Sequence, residues 1–111
     1  MPVATFSTAV TRSGDTTVVD LSGELDIATV PGLRTVATEE LERNGCDSLV
    51  FDLSELSFLD STGIGCWVEI RSSATERGKQ MTIRNVPPAV RRVLEIGGLL
   101  ALFEAAPPTS D

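Results

Sequence analysis

The chain has 111 residues, enough to bury one core and too few for two domains. It is 41% hydrophobic and 23% charged, the balance of a globular protein, and no stretch reaches the roughly 18 unbroken apolar residues of a membrane helix. A formal net charge of -7 speaks against a nucleic-acid partner, whose phosphates call for a concentrated basic surface.

Residues 3–11 alternate, with Ala4, Phe6, Thr8 and Val10 on one side of an expected strand. Ser13-Gly14-Asp15 supplies turn chemistry, and the threonine- and valine-rich residues 16–22 read as a second strand, antiparallel to the first. The pattern breaks at Ser22-Gly23-Glu24-Leu25-Asp26 and leads into a helix near Thr29, the expected N-cap, with Pro31 in its first turn. Val30, Leu33, Ala37 and Leu41 share one face of that helix, Arg34, Thr38 and Glu42 lie opposite, and Asn44-Gly45 stops it.

Ser48 to Leu53 is short and almost wholly apolar, as a buried parallel strand is. A second helix is expected over residues 61–77, with Gly63, Trp67, Ile70 and Ala74 toward the sheet and Glu69, Ser72, Ser73 and Glu76 toward water. Met81 to Val86 forms a further strand, and Pro87-Pro88 opens a third helix that buries Val90, Val93 and Leu94 and stops at Gly97-Gly98. Leu99 to Phe103 fits a short helix or an edge strand, and residues 104–111 read as a frayed tail. The order β-β-α-β-α-β-α predicts a single α/β domain over residues 1–111. Its sheet is mixed, with four to five strands, an N-terminal β-hairpin and three to four packed helices.

Several chemistries are absent from the composition. There is no histidine, so the usual general base and metal ligand are missing, and Lys79, the one lysine, stands outside any phosphate-loop motif. Cys46 and Cys66 have no metal or redox spacing and are expected to be packed, reduced thiols. No catalytic residue, metal or cofactor is expected. Met1-Pro2-Val3-Ala4-Thr5 lacks the regions of a secretory signal, so the expected location is cytoplasmic, with no membrane partner. Residues 1–60 hold eleven acids against three arginines, whereas residues 61–111 hold five acids against six bases. That asymmetry suits either steering of a basic partner or plain solubility.

The most informative segment is Phe58-Leu59-Asp60-Ser61-Thr62-Gly63-Ile64-Gly65, between a buried strand and an amphipathic helix. Asp60 or Ser61 is placed to cap the helix and leave a hydroxyl exposed at its start. Gly65 falls on the polar side by helical angle, where a missing side chain lets another backbone come close. The same residues also fit an ordinary capped helix with a loose first turn. Asp52 and Asp60 lack the acid cluster and the following strand-end lysine of a phospho-aspartate receiver, and Ser61 lacks a base to make it a hydrolase nucleophile.

Together, GELDIATVPGLR (Gly23–Arg34), LVFDLSELSFLDSTGIG (Leu49–Gly65) and VRRVLEIGGL (Val90–Leu99) resemble the STAS domain of anti-sigma factor antagonists. The resemblance runs from about Val3 to Phe103. It implies that the unmodified protein binds an anti-sigma factor with serine kinase activity and so releases a sigma factor. The kinase would phosphorylate the serine after the aspartate, here Ser61, and a serine phosphatase would reset the switch. Asp26, Asp60, Ser61, Thr62, Gly63 and Gly65 are the implied partner-binding residues. The pair Cys66-Trp67 departs from the small or aliphatic residues usual there. Other STAS domains serve, unphosphorylated, in lipid-transport or stress-sensing complexes, which is the alternative expectation.

Overall fold

The computed structural model describes residues 6–99 together with Phe103. Strand β1 (Phe6–Ser13) and strand β2 (Thr16–Leu25) form the expected antiparallel hairpin, closing at the pair Ser13 and Thr16. Gly14 holds the first central position of the two-residue turn with φ of 60°, a conformation that costs glycine nothing. The carbonyl of Asp15 then accepts N–H groups from Asp47 (2.7 Å) and Ser48 (3.1 Å), which ties the hairpin turn to the next strand. Ala4, expected on the same side of β1 as Phe6, Thr8 and Val10, lies outside the described residues.

Helix α1 (Val30–Glu42) buries Val30, Leu33, Ala37 and Leu41, as their spacing requires. It also buries Glu40, which the sequence reading did not single out. Glu40 accepts hydrogen bonds from Arg12 Nε (3.1 Å), Arg12 Nη2 (2.6 Å) and Thr17 Oγ1 (3.1 Å), and Arg43 Nε stands 3.3 Å away. The Arg12 guanidinium holds the Glu40 carboxyl below its ordinary range despite burial, with help from Thr17. This bundle fastens α1 across the hairpin strands.

Strand β3 (Ser48–Leu59) runs six residues beyond the expected end at Leu53. It pairs in parallel with β2 from Thr16 opposite Ser48 to Leu25 opposite Leu59. The register slips twice on the way, between Asp20 and Ser22 and between Gly23 and Glu24. Each slip takes up one extra residue of β3, so its inward leucines go from a spacing of two (Leu49, Phe51, Leu53) to a spacing of three (Leu53, Leu56, Leu59). Helix α2 (Ser61–Glu76), strand β4 (Gln80–Arg84) and helix α3 (Pro88–Ile96) complete the order. The four strands lie in sequence order β1-β2-β3-β4, with β1 antiparallel and the rest parallel. The expectation of a mixed α/β sheet with an N-terminal hairpin holds, at the lower end of both the strand and the helix ranges among the described residues.

The core joins the inward residues of the sheet to those of the helices. Trp67 of α2 is fully buried and meets Phe103 edge-on, with ring centroids 6.0 Å apart. Phe103 is helical and its N–H donates to the Leu99 carbonyl at 3.3 Å, which favours the helical alternative at that residue. The expected frayed tail, 104–111, lies outside the described residues. Cys46 and Cys66 are buried free thiols, and burial pushes the Cys66 thiol up. No helix among the described residues is long and apolar enough to cross a membrane.

β4 ends two residues before the expected Val86, because Asn85 turns left-handed at φ of 55°. Asp52, buried beside it, accepts from Ser54 N (3.0 Å), Arg84 Nε (2.9 Å) and Asn85 Nδ2 (2.8 Å), and thus fixes the exit of β4. Burial alone would raise the Asp52 carboxyl, but these donors outweigh it and hold it at about 2. A folded value below the unfolded one means stability that is present above the unfolded pKa and lost as pH falls through the folded one. About 2 kcal/mol of folding free energy should therefore vanish between about pH 5 and about pH 2. Urea unfolding at both limits should show that loss in the native chain and a loss smaller by about this amount in Asp52→Asn.

Candidate functional site

The level ending of β2 and β3 builds the site. Leu25 and Leu59 are register partners, and the Asp60 N–H donates to the Leu25 carbonyl at 3.3 Å. Asp26 and Asp60, each one residue further on, therefore leave neighbouring strands side by side. This is the C-terminal edge of the parallel strands, where α/β sheets place their sites.

Beyond β2 the chain makes a tight turn held by its own side chains. Asp26 Oδ1 accepts the N–H groups of Ala28 (2.9 Å) and Thr29 (3.2 Å). Thr29 Oγ1 accepts the Asp26 N–H (2.9 Å) and lies 2.9 Å from the Glu24 carbonyl, to which it donates. Thr29 is therefore not the side-chain cap that its sequence position suggested. Its backbone is already near helical, at φ -106° and ψ -14°, whereas a capping side chain needs an extended backbone to reach the next N–H groups. The Asp26 carboxylate instead closes a local turn ahead of the helix, taking the Ala28 and Thr29 N–H groups.

Beyond β3, Asp60 is extended (φ -114°, ψ -177°) and its Oδ1 accepts the Gly63 N–H at 3.1 Å. Of the two capping candidates, Asp60 is the cap. Ser61 is the first residue of α2, is exposed, and makes no hydrogen bond through its hydroxyl among the described residues. Thr62 is half-buried.

The two glycines differ. Gly63 is buried, and a Cβ there would stand 2.7 Å from Leu59 Cδ1 and 2.9 Å from Leu25 Cγ. Its missing side chain lets the helix start settle onto the paired strand ends, and it offers a partner no side-chain surface. Gly65 is exposed, and a Cβ there meets nothing within 4 Å. Of the implied partner-binding residues, the fold brings Asp26, Asp60, Ser61, Thr62 and Gly65 to one edge and tucks Gly63 beneath them.

Among the described residues no group of three acids or thiols is placed to hold a metal ion. Arg34, the base on the neighbouring helix, pairs with Glu69 at 3.0 Å along the α1–α2 seam. The edge is a surface, with carboxylates and the exposed Ser61 hydroxyl.

Substitution separates the two glycines. Gly63→Ala should lower stability by about 1–3 kcal/mol, since two core leucines must move and their shift outweighs the helix propensity gained. Gly65→Ala should raise stability by up to about 1 kcal/mol, because the space is open and alanine favours the helix. Urea unfolding of both variants reads the difference, and a destabilised Gly65→Ala would mean that α2 does not start as described.

The chain matches the STAS domain family over residues 7–111. It is 34% identical over 86 residues to an anti-sigma F factor antagonist of Paenibacillus polymyxa, covering 78% of this chain and 74% of that one. It is 35% identical over 85 residues to the anti-sigma-B factor antagonist of Staphylococcus aureus, covering 77% and 78%. Its fold matches that of SpoIIAA, an anti-sigma factor antagonist of Bacillus, in two solved forms. The unphosphorylated form gives a TM-score of 0.75 at 24% identity, covering 92% of this chain and 90% of that one. The phosphorylated form gives 0.70 at 22% identity, covering 92% and 93%.

Proposed function

Since this chain belongs to the STAS domain family of anti-sigma factor antagonists, we propose that it binds an anti-sigma factor through the edge around Ser61 and that phosphate on Ser61 switches this binding off. The observation that supports the reading best is the exposed, unbonded Ser61 hydroxyl at the first residue of α2, level with the Asp26 turn. The partner is an anti-sigma factor with serine kinase activity. Its binding to this protein frees a sigma factor, and a serine phosphatase restores the unmodified form.

The switch works by exclusion at the surface. A phosphoserine carries about -1.5 to -2 charges at neutral pH. At the first residue of a helix that charge gains about 0.3–1 kcal/mol from the free N–H groups, set against repulsion by the neighbouring Asp60. The domain thus has no reason to rearrange. The partner does, because Ser61 must approach the anionic terminal phosphate of the kinase's nucleotide. Two like charges about 4 Å apart in an effective dielectric of about 20 repel by about 4 kcal/mol, on the order of a thousandfold in affinity before screening.

Incubation with ATP and the kinase, followed by mass spectrometry, should place one phosphate on Ser61 and none on the half-buried Thr62. Phosphate on Thr62 in a chain that keeps Ser61 would sink the assignment. Titration of the phosphorylated protein should show affinity lower by about two to three orders of magnitude, with NMR shifts confined to the Asp26 turn and the start of α2. Shifts spread through the sheet, or unchanged affinity, would overturn exclusion as the mechanism.

Asp26 needs a conservative probe, since its carboxylate shapes the turn. Asp26→Asn keeps the Oδ1 acceptor and removes the charge. It should weaken kinase binding with the melting temperature nearly unchanged, while Asp26→Ala should also cost about 1 kcal/mol of stability. Intact binding in Asp26→Asn would move the contact surface elsewhere.

A further inference from the structure

β1 pairs with β2 on one side and with no strand on the other among the described residues. The hairpin turn fixes which of its main-chain groups are free. In a two-residue hairpin the closing residues, here Ser13 and Thr16, bond to each other through the main chain. Alternation then turns the N–H and C=O groups of Ser7, Ala9 and Thr11 toward β2 and those of Phe6, Thr8, Val10 and Arg12 outward. Natural sheets blunt such a free edge by short length, proline, a bulge, a charge or a cover. β1 has 8 residues and no proline, and its register with β2 is unbroken from Phe6 to Ser13. Ser7 and residues 9–13 are exposed. The one charged residue, Arg12, is turned back onto Glu40 and neutralised there.

We propose that β1 pairs antiparallel with β1 of a second copy, about a twofold axis at Ala9, and joins the two sheets into one. This register sets Phe6 opposite Arg12 and Thr8 opposite Val10. All four outward residues of each strand are then bonded, through about eight main-chain hydrogen bonds. On the other face Ala9 meets Ala9 and Ser7 meets Thr11, so no pair sets like charges opposite each other. Charge favours a second copy at this edge, because β1 holds none of the 16 acids of a chain whose net charge is -7. β4 of a second copy is the wrong occupant. It has 5 residues, and β1 on β4 would leave a free edge at each end, whereas β1 on its own copy uses the whole strand and closes. The Ser61 edge lies toward the Phe6 end of β1, since Phe6 is the register partner of Gly23. The twofold reverses the second copy, so the two Ser61 edges point to opposite ends of the joined sheet and both stay open. Dimerisation is thus independent of the function proposed above, and failure of either leaves the other standing.

One strand edge is a small interface, so a dissociation constant on the order of 10–100 μM is expected. Sedimentation equilibrium from about 1 to about 500 μM should pass from the 11.8 kDa chain toward twice that mass. Amide hydrogen exchange read by NMR locates the contact. The N–H groups of Thr8 and Val10 should exchange several-fold more slowly in concentrated than in dilute protein, while those of Ala9 and Thr11, bonded to β2, are protected in both. Val10→Pro removes one outward N–H and leaves the β1–β2 ladder whole. Val10→Lys sets two like charges diagonally across the axis, about 7–8 Å apart. Each should weaken dimerisation by about tenfold, with the melting temperature of dilute protein nearly unchanged. Val10→Lys serves if the proline variant fails to fold. A chain that stays monomeric at about 500 μM overturns the proposal. So does a dimer that both variants leave intact, or one in which Thr8 and Val10 exchange as fast as in the monomer. Protection of Thr8 and Val10 only on addition of a different protein would give the edge to that protein and overturn it too.

Discussion

The functional edge depends on one close contact, that of Gly63 with the paired leucines Leu25 and Leu59. A Cβ at Gly63 would come within 3 Å of both side chains, so the start of α2 lies against the strand ends as closely as backbone can. Asp60 serves that contact twice. Its N–H reaches the Leu25 carbonyl and its carboxylate takes the Gly63 N–H. With strand, cap and helix start locked this way, the first helical residue has one direction left, outward, and that residue is Ser61. A hydroxyl presented to another protein has to be held by rigid neighbours, and these are backbone groups and core leucines.

The contact needs the strands to end level, and β3 reaches that by irregularity. β2 spans 10 residues and β3 spans 12, yet their first and last residues are partners. Two register slips absorb the difference. Without them Asp26 and Asp60 would be out of step by two residues, about 7 Å along the strands. The slips also explain what the sequence concealed. Leu49, Phe51 and Leu53 alternate and read as a strand, whereas Leu53, Leu56 and Leu59 are spaced by three and match no regular strand. The glycine at Gly23 hid the last three residues of β2 for a similar reason, since glycine in a strand pattern reads as an end. The helices were legible because α1 and the inner face of α2 keep a plain helical period, and the hairpin because its turn chemistry is local.

Polar burial was the least legible feature. Glu40 falls on the inner face of α1 by spacing, between Ala37 and Leu41, but a carboxylate there is unexpected until its partner is known. That partner, Arg12, is 28 residues away across a fold not yet built. Asp52 read as part of an apolar strand, and its donors Arg84 and Asn85 sit 32 and 33 residues along the chain. At the site, the tetrad Asp60-Ser61-Thr62-Gly63 gave the helix start, but the choice between Asp60 and Ser61 as cap was a matter of backbone angle. The same holds for Thr29, whose type and position fit a cap that its ψ forbids.

The carboxylates thus divide into two kinds by place. Glu40 and Asp52, each bonded to an arginine, secure α1 to the hairpin and the exit of β4. Glu24, Asp26 and Asp60, at or next to the paired strand ends, and Glu55 further back on β3 have no ion-pair partner among the described residues. An internal bridge is a natural relay for added charge, because breaking it leaves a buried ion uncompensated and forces movement. Phosphate on Ser61, as proposed, would land among groups that form no such bridge among the described residues, next to the N–H groups of a helix start. Its repulsion therefore has no internal lever to pull. In the proposed switch, the free energy of the modification would therefore appear in whatever approaches the edge. The charges that hold the fold are thus kept apart from the charges beside Ser61, so the proposed modification there needs no relay through the fold.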